Sequence, residues 1–366
     1  MDRSYKTIHK QFKFQGSHFS PSELNDVAYS LIKEGDEEER KIGDFFMDWL
    51  TPHDLLIVRT SGSTGTPKNI TLSKQAMVNS ALATGSYFGL TEGDTALLCL
   101  SASHIAAKMM LVRAMVLGLS LDHIDPSSSP LIGLLRSYDL CAMVPLQMEK
   151  SLNNISKIKL LLVGGAPVSV DLRAKVQNIS TRIYETYGMT ETCSHIAARP
   201  LNLPISKDDK GSSDSFHTFP GITISEDDRN CLQIHAPALG LDSISTNDVV
   251  DLVSETEFEW VGRLDNVVNS GGVKLFPEQI EKKLRPVIEG RFMVTGIPDK
   301  ELGEKLVLLV EGKVDKSSLR SEIEVLTALK KFEKPKEIFE VDNFLCSESG
   351  KLLRKEIKKS LLTYSE

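Results

Sequence analysis

The stretch RTSGSTGTPK, residues 59–68, concentrates small, hydroxyl-bearing and cationic residues directly after an apolar run at residues 55–58. Glycines let backbone N–H groups approach phosphate oxygens, hydroxyls donate hydrogen bonds, and Lys68 adds positive charge. The loop is not a Walker A sequence, because no glycine precedes Lys68 and no Ser or Thr follows it. We expect it to follow a strand of an open α/β sheet, where such sheets bind ligands, and therefore favour a phosphate-binding loop over a polar turn. Its candidate ligands are Thr60, Ser61, Gly62, Ser63, Thr64, Gly65, Thr66 and Lys68.

A second segment, YETYGMTET at residues 184–192, combines an aromatic ring, hydroxyls and a carboxylate. Glu191 is a candidate ligand for Mg²⁺, which takes carboxylate and phosphate oxygens together. Thr190 could donate to a phosphate, and the ring of Tyr187 could cover a base. By itself the segment is also typical of a solvated surface turn.

Two later segments add further candidates. In GRLDNVVNSGGVKLFP, residues 262–277, Arg263 could donate to a ribose or a phosphate, and Gly271-Gly272 suits a tight hairpin. In SESGKLLRKEI, residues 347–357, Lys351 follows a Ser-Gly turn before a helix. Without further context, such a lysine is typical of a solvated charge.

The elements that must position these residues alternate along the chain. Apolar runs at 55–58, 95–100, 140–144 and 159–163 are separated by segments of helical period, which predicts a mostly parallel sheet covered by helices. After Pro200 hairpin signals dominate, and the last hundred residues predict alternating strands and amphipathic helices. The expected fold is α/β: a large N-terminal domain of helix-covered sheets with a small mobile α+β C-terminal domain.

Composition sets the class of protein. The chain has 366 residues, a net charge of −7 and 41% hydrophobic residues, which is typical of a soluble globular protein of two domains and gives no general attraction to nucleic acid or membrane. No apolar stretch is long enough to span a membrane, and the N-terminal segment lacks a signal-peptide core. The five cysteines are scattered, which predicts reduced thiols in the cytoplasm and no structural zinc.

The four segments resemble, in order and separation, the motifs of the adenylate-forming acyl-CoA synthetase/ligase superfamily. TSGSTGTPK resembles its phosphate loop, YGMTE its magnesium and nucleotide motif, GRLD its hinge motif and SGKLLR its catalytic-lysine motif. LLLVGGAP, residues 160–167, resembles the strand and loop that flank the adenine. STNDVVDL, residues 245–252, occupies the place of the ribose motif, with Thr-Asn-Asp where the family has Thr-Gly-Asp.

The resemblance implies an enzyme in which a carboxylate attacks the α-phosphate of ATP, giving an acyl-adenylate and pyrophosphate. Coenzyme A then displaces AMP. Residues 60–68 would hold the β- and γ-phosphates, Mg²⁺ would bridge to Glu191, and Lys351 would reach the carboxylate and the α-phosphate. The implied catalytic residues are Lys351, Thr190 and Glu191, and the remaining implied nucleotide ligands are Gly164, Gly165, Ala166, Tyr187, Gly188, Asp248 and Arg263.

The family also implies a mobile C-terminal domain. The expected division is an N-terminal domain at 1–262, shortened at its N-terminus, a hinge at 263–266 centred on Asp265, and a C-terminal lid at 267–366. Rotation at the hinge would withdraw Lys351 and bring a loop containing Gly271, Gly272 and Lys274 to the thioester-forming site.

The acid is predicted from SASHIAAKMMLVRAMVLG, residues 101–118, which occupies the acyl-pocket motif. His104, Lys108 and Arg113 would give a pocket suited to an acid with a second carboxylate, together with Gly188 and Met189. The compact length resembles the branch that acts on o-succinylbenzoate in menaquinone biosynthesis. A helix with two surface cations and a capping histidine is an equally good interpretation of these residues.

Three other functions fit parts of the pattern. Another acyl- or aryl-CoA synthetase would share every adenylation motif. A kinase or hydrolase using the Gly/Ser/Thr loop would release ADP rather than AMP. A degenerate relative would bind nucleotide without turnover, although the chain keeps both Glu191 and Lys351. A homo-oligomer is compatible with the sequence but is not predicted by it.

The assignment of Lys351 makes a kinetic prediction. Lys351→Ala should suppress adenylation, measured as pyrophosphate release, far more than CoA attack on preformed acyl-adenylate, because the ammonium offsets charge only in the first step. Equal losses in the two half-reactions would contradict the assignment.

Overall fold

The computed structural model describes residues 4–59, 68–202, 214–346 and 352–363. The chain divides into two compact units. The first unit consists of residues 1–224, 234–244 and 254–257, and the second of residues 225–233, 245–253 and 258–366. A hinge at 263–266 stays a prediction.

The described residues contain twenty strands. They are Lys13–Phe14 (β1), Ser17–His18 (β2), Leu55–Arg59 (β3), Asn69–Ser73 (β4), Thr95–Leu98 (β5), Ser120–His123 (β6), Tyr138–Met143 (β7), Ile158–Val163 (β8), Arg182–Gly188 (β9), His195–Pro200 (β10), Phe216–Thr218 (β11), Thr223–Glu226 (β12), Cys231–Ala236 (β13), Leu241–Ser254 (β14), Glu257–Arg263 (β15), Val268–Ser270 (β16), Val273–Leu275 (β17), Phe292–Asp299 (β18), Gly303–Glu311 (β19) and Glu337–Val341 (β20).

Nine α-helices lie in the same described ranges. They are Pro21–Glu34 (α1), Glu37–Leu50 (α2), Lys74–Phe88 (α3), Ile105–Leu117 (α4), Pro145–Lys150 (α5), Val170–Val176 (α6), Pro277–Leu284 (α7), Lys316–Val325 (α8) and Arg354–Thr363 (α9). Both α1 and α2 begin with capping boxes, formed by Ser20 with Glu23 and by Asp36 with Glu39.

The first unit is built on a mainly parallel sheet, as the sequence predicts. Its strand order is β11-β10-β9-β8-β7-β5-β6-β1-β2. The pairs from β9 through β8, β7, β5 and β6 to β1 are parallel, whereas β10 and β11 are added antiparallel. Parallel strands are buried on both faces, which explains the nearly continuous apolar runs of β7 and β8.

The strand before the phosphate loop departs from the prediction. β3 pairs antiparallel with β4 in a separate two-stranded sheet, with Arg59 opposite Asn69. The expectation that residues 55–58 belong to the parallel sheet is therefore wrong. A short apolar strand has the same sequence signature in a hairpin and in a parallel sheet.

The second unit contains a smaller sheet with helices on both faces. β18 and β19 are antiparallel, and β16, β17 and β20 complete this sheet. Because side chains alternate along a strand, Val294 and Leu308 pack with α7 and α8, whereas Met293 and Leu309 pack with α9. Four further strands, β12 to β15, pair in chain order and contribute residues to both units.

Two further findings concern the chain as a class of protein. No helix in the described ranges is both long and apolar enough to cross a membrane. The five cysteines are free thiols, including Cys99 and Cys141, whose buried Sγ atoms lie 3.7 Å apart.

A buried lysine joins α2 to α3. Lys74 Nζ donates to the carbonyl oxygens of Asp48, Trp49 and Thr51 at 2.7, 2.9 and 3.0 Å. These carbonyls lie at the C-terminal end of α2, where intrahelical donors are lacking and a cation is favourable.

We expect Lys74→Met to lower the free energy of unfolding by about 3 kcal/mol, because it leaves these three carbonyls, of which that of Trp49 is buried, without their common donor. Urea unfolding measures the change. Lys150→Met, at an exposed position in α5, serves as the matched control and should cost less than about 0.5 kcal/mol. Similar losses in the two variants would contradict this role for Lys74.

Candidate active site

The first group of predicted site residues lies at the carboxyl ends of two adjacent parallel strands. β8 runs beside β9 with Val163 opposite Glu185, so the turn after β8 lies next to the end of β9. Thr186 Oγ1 donates to the Val163 carbonyl at 3.2 Å. A Cβ on Gly164 would lie 2.6 Å from Thr186 Oγ1, and Gly165 has a φ of +84°. Both glycines are therefore needed for this close approach.

The structure brings Gly164, Gly165 and Ala166 to the same edge of the sheet as Tyr187, Gly188 and Met189. A Cβ on Gly188 would lie 2.3 Å from the Ser194 carbonyl oxygen, so the chain folds back tightly after β9.

Thr190 and Glu191 lie in a 3₁₀ turn, Thr190–Thr192, directly after β9. Thr192 Oγ1 lies 2.9 Å from the Met189 carbonyl and 2.7 Å from the Ser194 carbonyl, and Cys193 has a φ of +63°. Strained backbone of this kind persists where the surrounding contacts determine it, commonly at functional sites.

Glu191 is exposed on this turn, and its carboxylate is suited to be a ligand of Mg²⁺. Protein sites for Mg²⁺ use one or two carboxylates and leave the other positions to phosphates and water. No group of three or more potential metal-ligating side chains occurs in the described ranges. A single exposed carboxylate such as Glu191 suits a magnesium ion that arrives with nucleotide phosphates.

The phosphate loop and the lysine motif are described only at their flanks. Residues 60–66 of the loop and Lys351 lie outside the described residues, whereas Lys68 is exposed just before β4. β4 contacts the turn that carries Glu191. At the flank of the lysine motif, the Leu353 N–H donates to the Leu345 carbonyl at 2.9 Å.

The second group of predicted residues lies in the second unit. Arg263 bridges two carboxylates: Nη1 lies 3.3 Å from Asp248 Oδ1 and Nη2 lies 3.2 Å from Asp265 Oδ2. Although burial by itself lowers the pKa of Arg263, Asp248 and Asp265 raise it above its ordinary value. The implied ribose ligands are thus together and next to the implied hinge residue.

Sequence reasoning missed three neighbours of these residues. Trp260 Nε1 donates to Asp248 Oδ1 at 3.2 Å. Asn247, where the family motif has glycine, accepts from Arg229 at 3.0 Å and lies 3.4 Å from Asp265 Oδ2. The asparagine at residue 247, in place of the family's glycine, is the sequence feature that could have indicated the contact with Asp265. No feature of the local sequence indicated that Trp260 would contact Asp248.

The hairpin prediction for the CoA-step loop is confirmed in its geometry. Gly271 and Gly272 form the turn between β16 and β17 with φ of +58° and +81°. Lys274 is exposed on β17, opposite Asn269. Their role in the second half-reaction stays a prediction.

The three candidate acyl-pocket residues of α4 do not lie together. His104 is exposed at the N-cap, and Lys108 Nζ lies 5.9 Å from the centroid of the Phe45 ring in α2. Burial lowers the pKa of Lys108, an effect that Asp48 and Asp44 oppose. Arg113 does not contact His104 or Lys108 and is only 2% exposed. The interpretation of these cations as surface charges is therefore wrong for Arg113.

Arg113 lies in a cluster of polar side chains, the Arg113 cluster, with Ser80, Thr84, Ser194 and His195. Its Nη2 donates to Ser194 Oγ at 2.9 Å and lies 3.2 Å from His195 Nε2, and its Nε lies 3.4 Å from Thr84 Oγ1. Ser80 Oγ and Ser194 Oγ are 3.2 Å apart. Because a guanidinium only donates, Nε2 of a neutral His195 accepts from it.

The partners of Arg113 in this cluster are hydroxyls and an imidazole, which carry no negative charge. Burial lowers the pKa of Arg113 to about 9, so it stays protonated at neutral pH. In the ranges that the structure describes, no carboxylate lies within ion-pair distance of its guanidinium. A buried charge of this kind is stabilised when a ligand supplies the counter-charge.

A pocket adjoins the Arg113 cluster. The pocket is small, and its lining includes Asn79, Ser80, His195, Phe219 and Leu239, whereas Arg113 lies behind Ser80 and His195 and does not line it. Ser80 and His195 of the cluster, together with Asn79, are the polar residues of a mainly apolar lining. An anionic ligand group in this pocket would meet His195, which lies 3.2 Å from Arg113 Nη2.

The chain is similar to a known protein family and to known enzymes. A model of the AMP-binding enzyme family matches residues 16–224. The 2-succinylbenzoate–CoA ligase of Lactococcus lactis is 24% identical over 324 residues, which are 83% of this chain and 70% of that protein. The enzyme of the same name from Escherichia coli is 27% identical over 270 residues, which are 69% of this chain and only 57% of that protein.

Solved structures give the same result. A Dyadobacter fermentans protein described as an acyl-CoA synthetase (AMP-forming)/AMP-acid ligase II-like protein is 33% identical, with a TM-score of 0.60, and the match covers 92% of this chain and 98% of that one. O-succinylbenzoate coenzyme A synthetase from Bacillus subtilis, in complex with ATP and magnesium ion, is 22% identical with a TM-score of 0.70, covering 82% of this chain and 69% of that one. The second likeness shows the fold alone.

The Arg113 cluster predicts a pH dependence of stability. Burial, reinforced by the Arg113 cation, holds the pKa of His195 well below its ordinary value of 6.5. Between these two pKa values the unfolded chain binds a proton that the folded chain does not, so stability falls as pH is lowered below about 6.5, by up to about 1.4 kcal/mol per pH unit.

Urea unfolding of wild type and His195→Gln from pH 7.5 to 5 isolates this contribution, and the glutamine variant should lose less stability on acidification. His53→Gln, at an exposed position, should retain the wild-type pH dependence. Parallel curves for wild type and His195→Gln would contradict the assignment.

Proposed function

Because the chain belongs to the family of AMP-binding enzymes, we propose that it joins 2-succinylbenzoate to coenzyme A through an acyl-adenylate. The sequence-based predictions of this family, of its α/β fold and of an AMP-forming acid–CoA ligase that uses ATP, Mg²⁺ and CoA are confirmed. The choice of acid and the individual residue roles are proposals.

The first half-reaction brings two anions together. A carboxylate oxygen attacks the α-phosphorus of ATP, the bond to the pyrophosphate oxygen breaks, and charge must be offset by cations and N–H donors. We assign this offset to the loop at 60–68 and to Lys351. Bound Mg²⁺ would neutralise phosphate charge, with Glu191 as its protein carboxylate.

In the second half-reaction the CoA thiolate attacks the acyl carbonyl carbon and AMP leaves with the former carboxylate oxygen. Asp248 and Arg263 would hold the ribose through both steps, since a carboxylate accepts from both ribose hydroxyls. We keep the loop containing Gly271, Gly272 and Lys274 as the proposed contact for this step.

One observation carries the choice of acid: the guanidinium of Arg113 is buried, and no carboxylate among the described residues lies within ion-pair distance of it, while its neighbour His195 lines a mainly apolar pocket. 2-Succinylbenzoate has a ring, a ketone and a second carboxylate that does not react. That carboxylate would supply the counter-charge, and a monocarboxylic acid would not. The names of the relatives support the same acid, which would place the reaction in menaquinone biosynthesis.

The remaining partners follow from this chemistry. The proposed partners are the acid, ATP and CoA, with no nucleic acid and no membrane. A cytoplasmic location and homo-oligomerisation stay proposals.

An end-point screen with ATP, Mg²⁺, CoA and a panel of acids tests the proposal. We expect AMP and a thioester with 2-succinylbenzoate, and a KM for this acid that rises at least about 30-fold in Arg113→Met, because a buried ion pair loses one partner. Benzoate, which lacks the second carboxylate, should show a change within about twofold.

Lys108→Met is the control on the same helix and should affect both acids alike. Product with benzoate or a fatty acid, but none with 2-succinylbenzoate, would overturn the choice of acid and leave the ligase class intact. Release of ADP would contradict the reaction itself.

A further inference from the structure

The carboxylate of Asp248 is held from several directions. Asp248 lies in β14 and is 9% exposed. Its Oδ1 accepts from Trp260 Nε1 at 3.2 Å and from Arg263 Nη1 at 3.3 Å, and its N–H donates to Thr246 Oγ1 at 3.0 Å. Tryptophan thus supplies a neutral donor to a buried carboxylate.

The backbone behind this contact is fixed by apolar packing. Val249 and Val261, which follow Asp248 and Trp260 in sequence, pack together with Cys231. Because successive side chains of a strand point to opposite faces, Asp248 and Trp260 point away from that cluster. Two neighbouring strands, β14 and β15, therefore present the carboxylate and the indole on one side.

The guanidinium of Arg263 is shared between two carboxylates. Its Nη2 lies 3.2 Å from Asp265 Oδ2, so its position depends on Asp265 as well as on Asp248. Trp260 has only two side-chain torsions and a single donor, so its contact with Asp248 does not depend on Asp265. The indole also adds no charge that would compete for the carboxylate.

We propose that Trp260 is a positioning residue for nucleotide binding: its indole N–H fixes the rotamer in which Asp248 accepts the ribose hydroxyls. The inference rests on the proposed role of Asp248 at the ribose. It predicts that loss of the N–H weakens recognition of the hydroxyls specifically, while contacts to the base and phosphates persist.

Isothermal titration calorimetry with Mg²⁺ and either ATP or 2′,3′-dideoxy-ATP tests the role of Trp260 without requiring turnover. Hydrogen bonds to a charged group predict that wild type prefers ATP by about tenfold or more. In Trp260→Phe we expect the preference to fall at least about threefold, through weaker ATP binding and an unchanged Kd for the dideoxy nucleotide. Trp49→Phe, a substitution in the core of the first unit, should keep the wild-type ratio.

An unchanged ATP preference in Trp260→Phe would overturn the inference, and so would an equal loss of affinity for both nucleotides, since that indicates a merely structural role. The proposed function fails by a different result, the absence of AMP and thioester with any acid. The two failures are therefore distinguishable.

A second measurement covers the case in which Trp260→Phe does not fold. The chain has two tryptophans, so Trp49→Phe leaves Trp260 as the sole indole. ATP should shift the emission of Trp260 because the hydroxyls share its acceptor, and dideoxy-ATP should shift it less. Equal shifts, or no shift with ATP, would contradict the proposal.

Discussion

The buried guanidinium of Arg113 constrains how three parts of the first unit pack, and no carboxylate among the described residues lies within ion-pair distance of it. Arg113 lies in α4, and its partners are Thr84 of α3, His195 of β10 and Ser194, which directly precedes β10, so these parts must keep their spacing for the guanidinium to stay hydrogen-bonded. Hydroxyls and a neutral imidazole solvate the charge but do not cancel it. Under the proposed function, the second carboxylate of the acid would supply a counter-charge to Arg113. Burial, reinforced by the Arg113 cation, lowers the pKa of His195 and keeps it neutral beside the pocket.

Much of the fold could be predicted because the local signals agree with the tertiary structure. Ser20 and Asp36 mark helix starts by capping, Pro277 begins α7, and the apolar runs of β7 and β8 are typical of a parallel sheet. The error at residues 55–58 has the opposite cause. Periodicity shows that a strand is present, but not which strand it pairs with, and β3 pairs with β4 across the phosphate loop.

The candidate site likewise contains residues that the sequence could indicate and contacts that it could not. The motifs predict roles for Glu191 and Asp248 because each motif is a contiguous stretch of residues, and these roles stay predictions. Helix geometry places residues five positions apart on different faces, so Lys108 and Arg113 meet different neighbours, but which neighbours these are could not be predicted because tertiary packing decides it. The contact of Trp260 with Asp248 depends on the geometry of neighbouring strands, which neither local segment encodes. Residues 60–66 and Lys351 lie outside the described residues and keep the roles that the family resemblance implies.

The central claim is that the acid is activated by attack of its own carboxylate oxygen on the α-phosphorus of ATP. The most direct measurement uses 2-succinylbenzoate labelled with ¹⁸O in the carboxyl groups and follows the label by mass spectrometry after incubation with ATP, Mg²⁺ and CoA. The account predicts one ¹⁸O in the phosphate of each AMP and none in pyrophosphate. Label in a phosphate released together with ADP, or AMP without label, would contradict it.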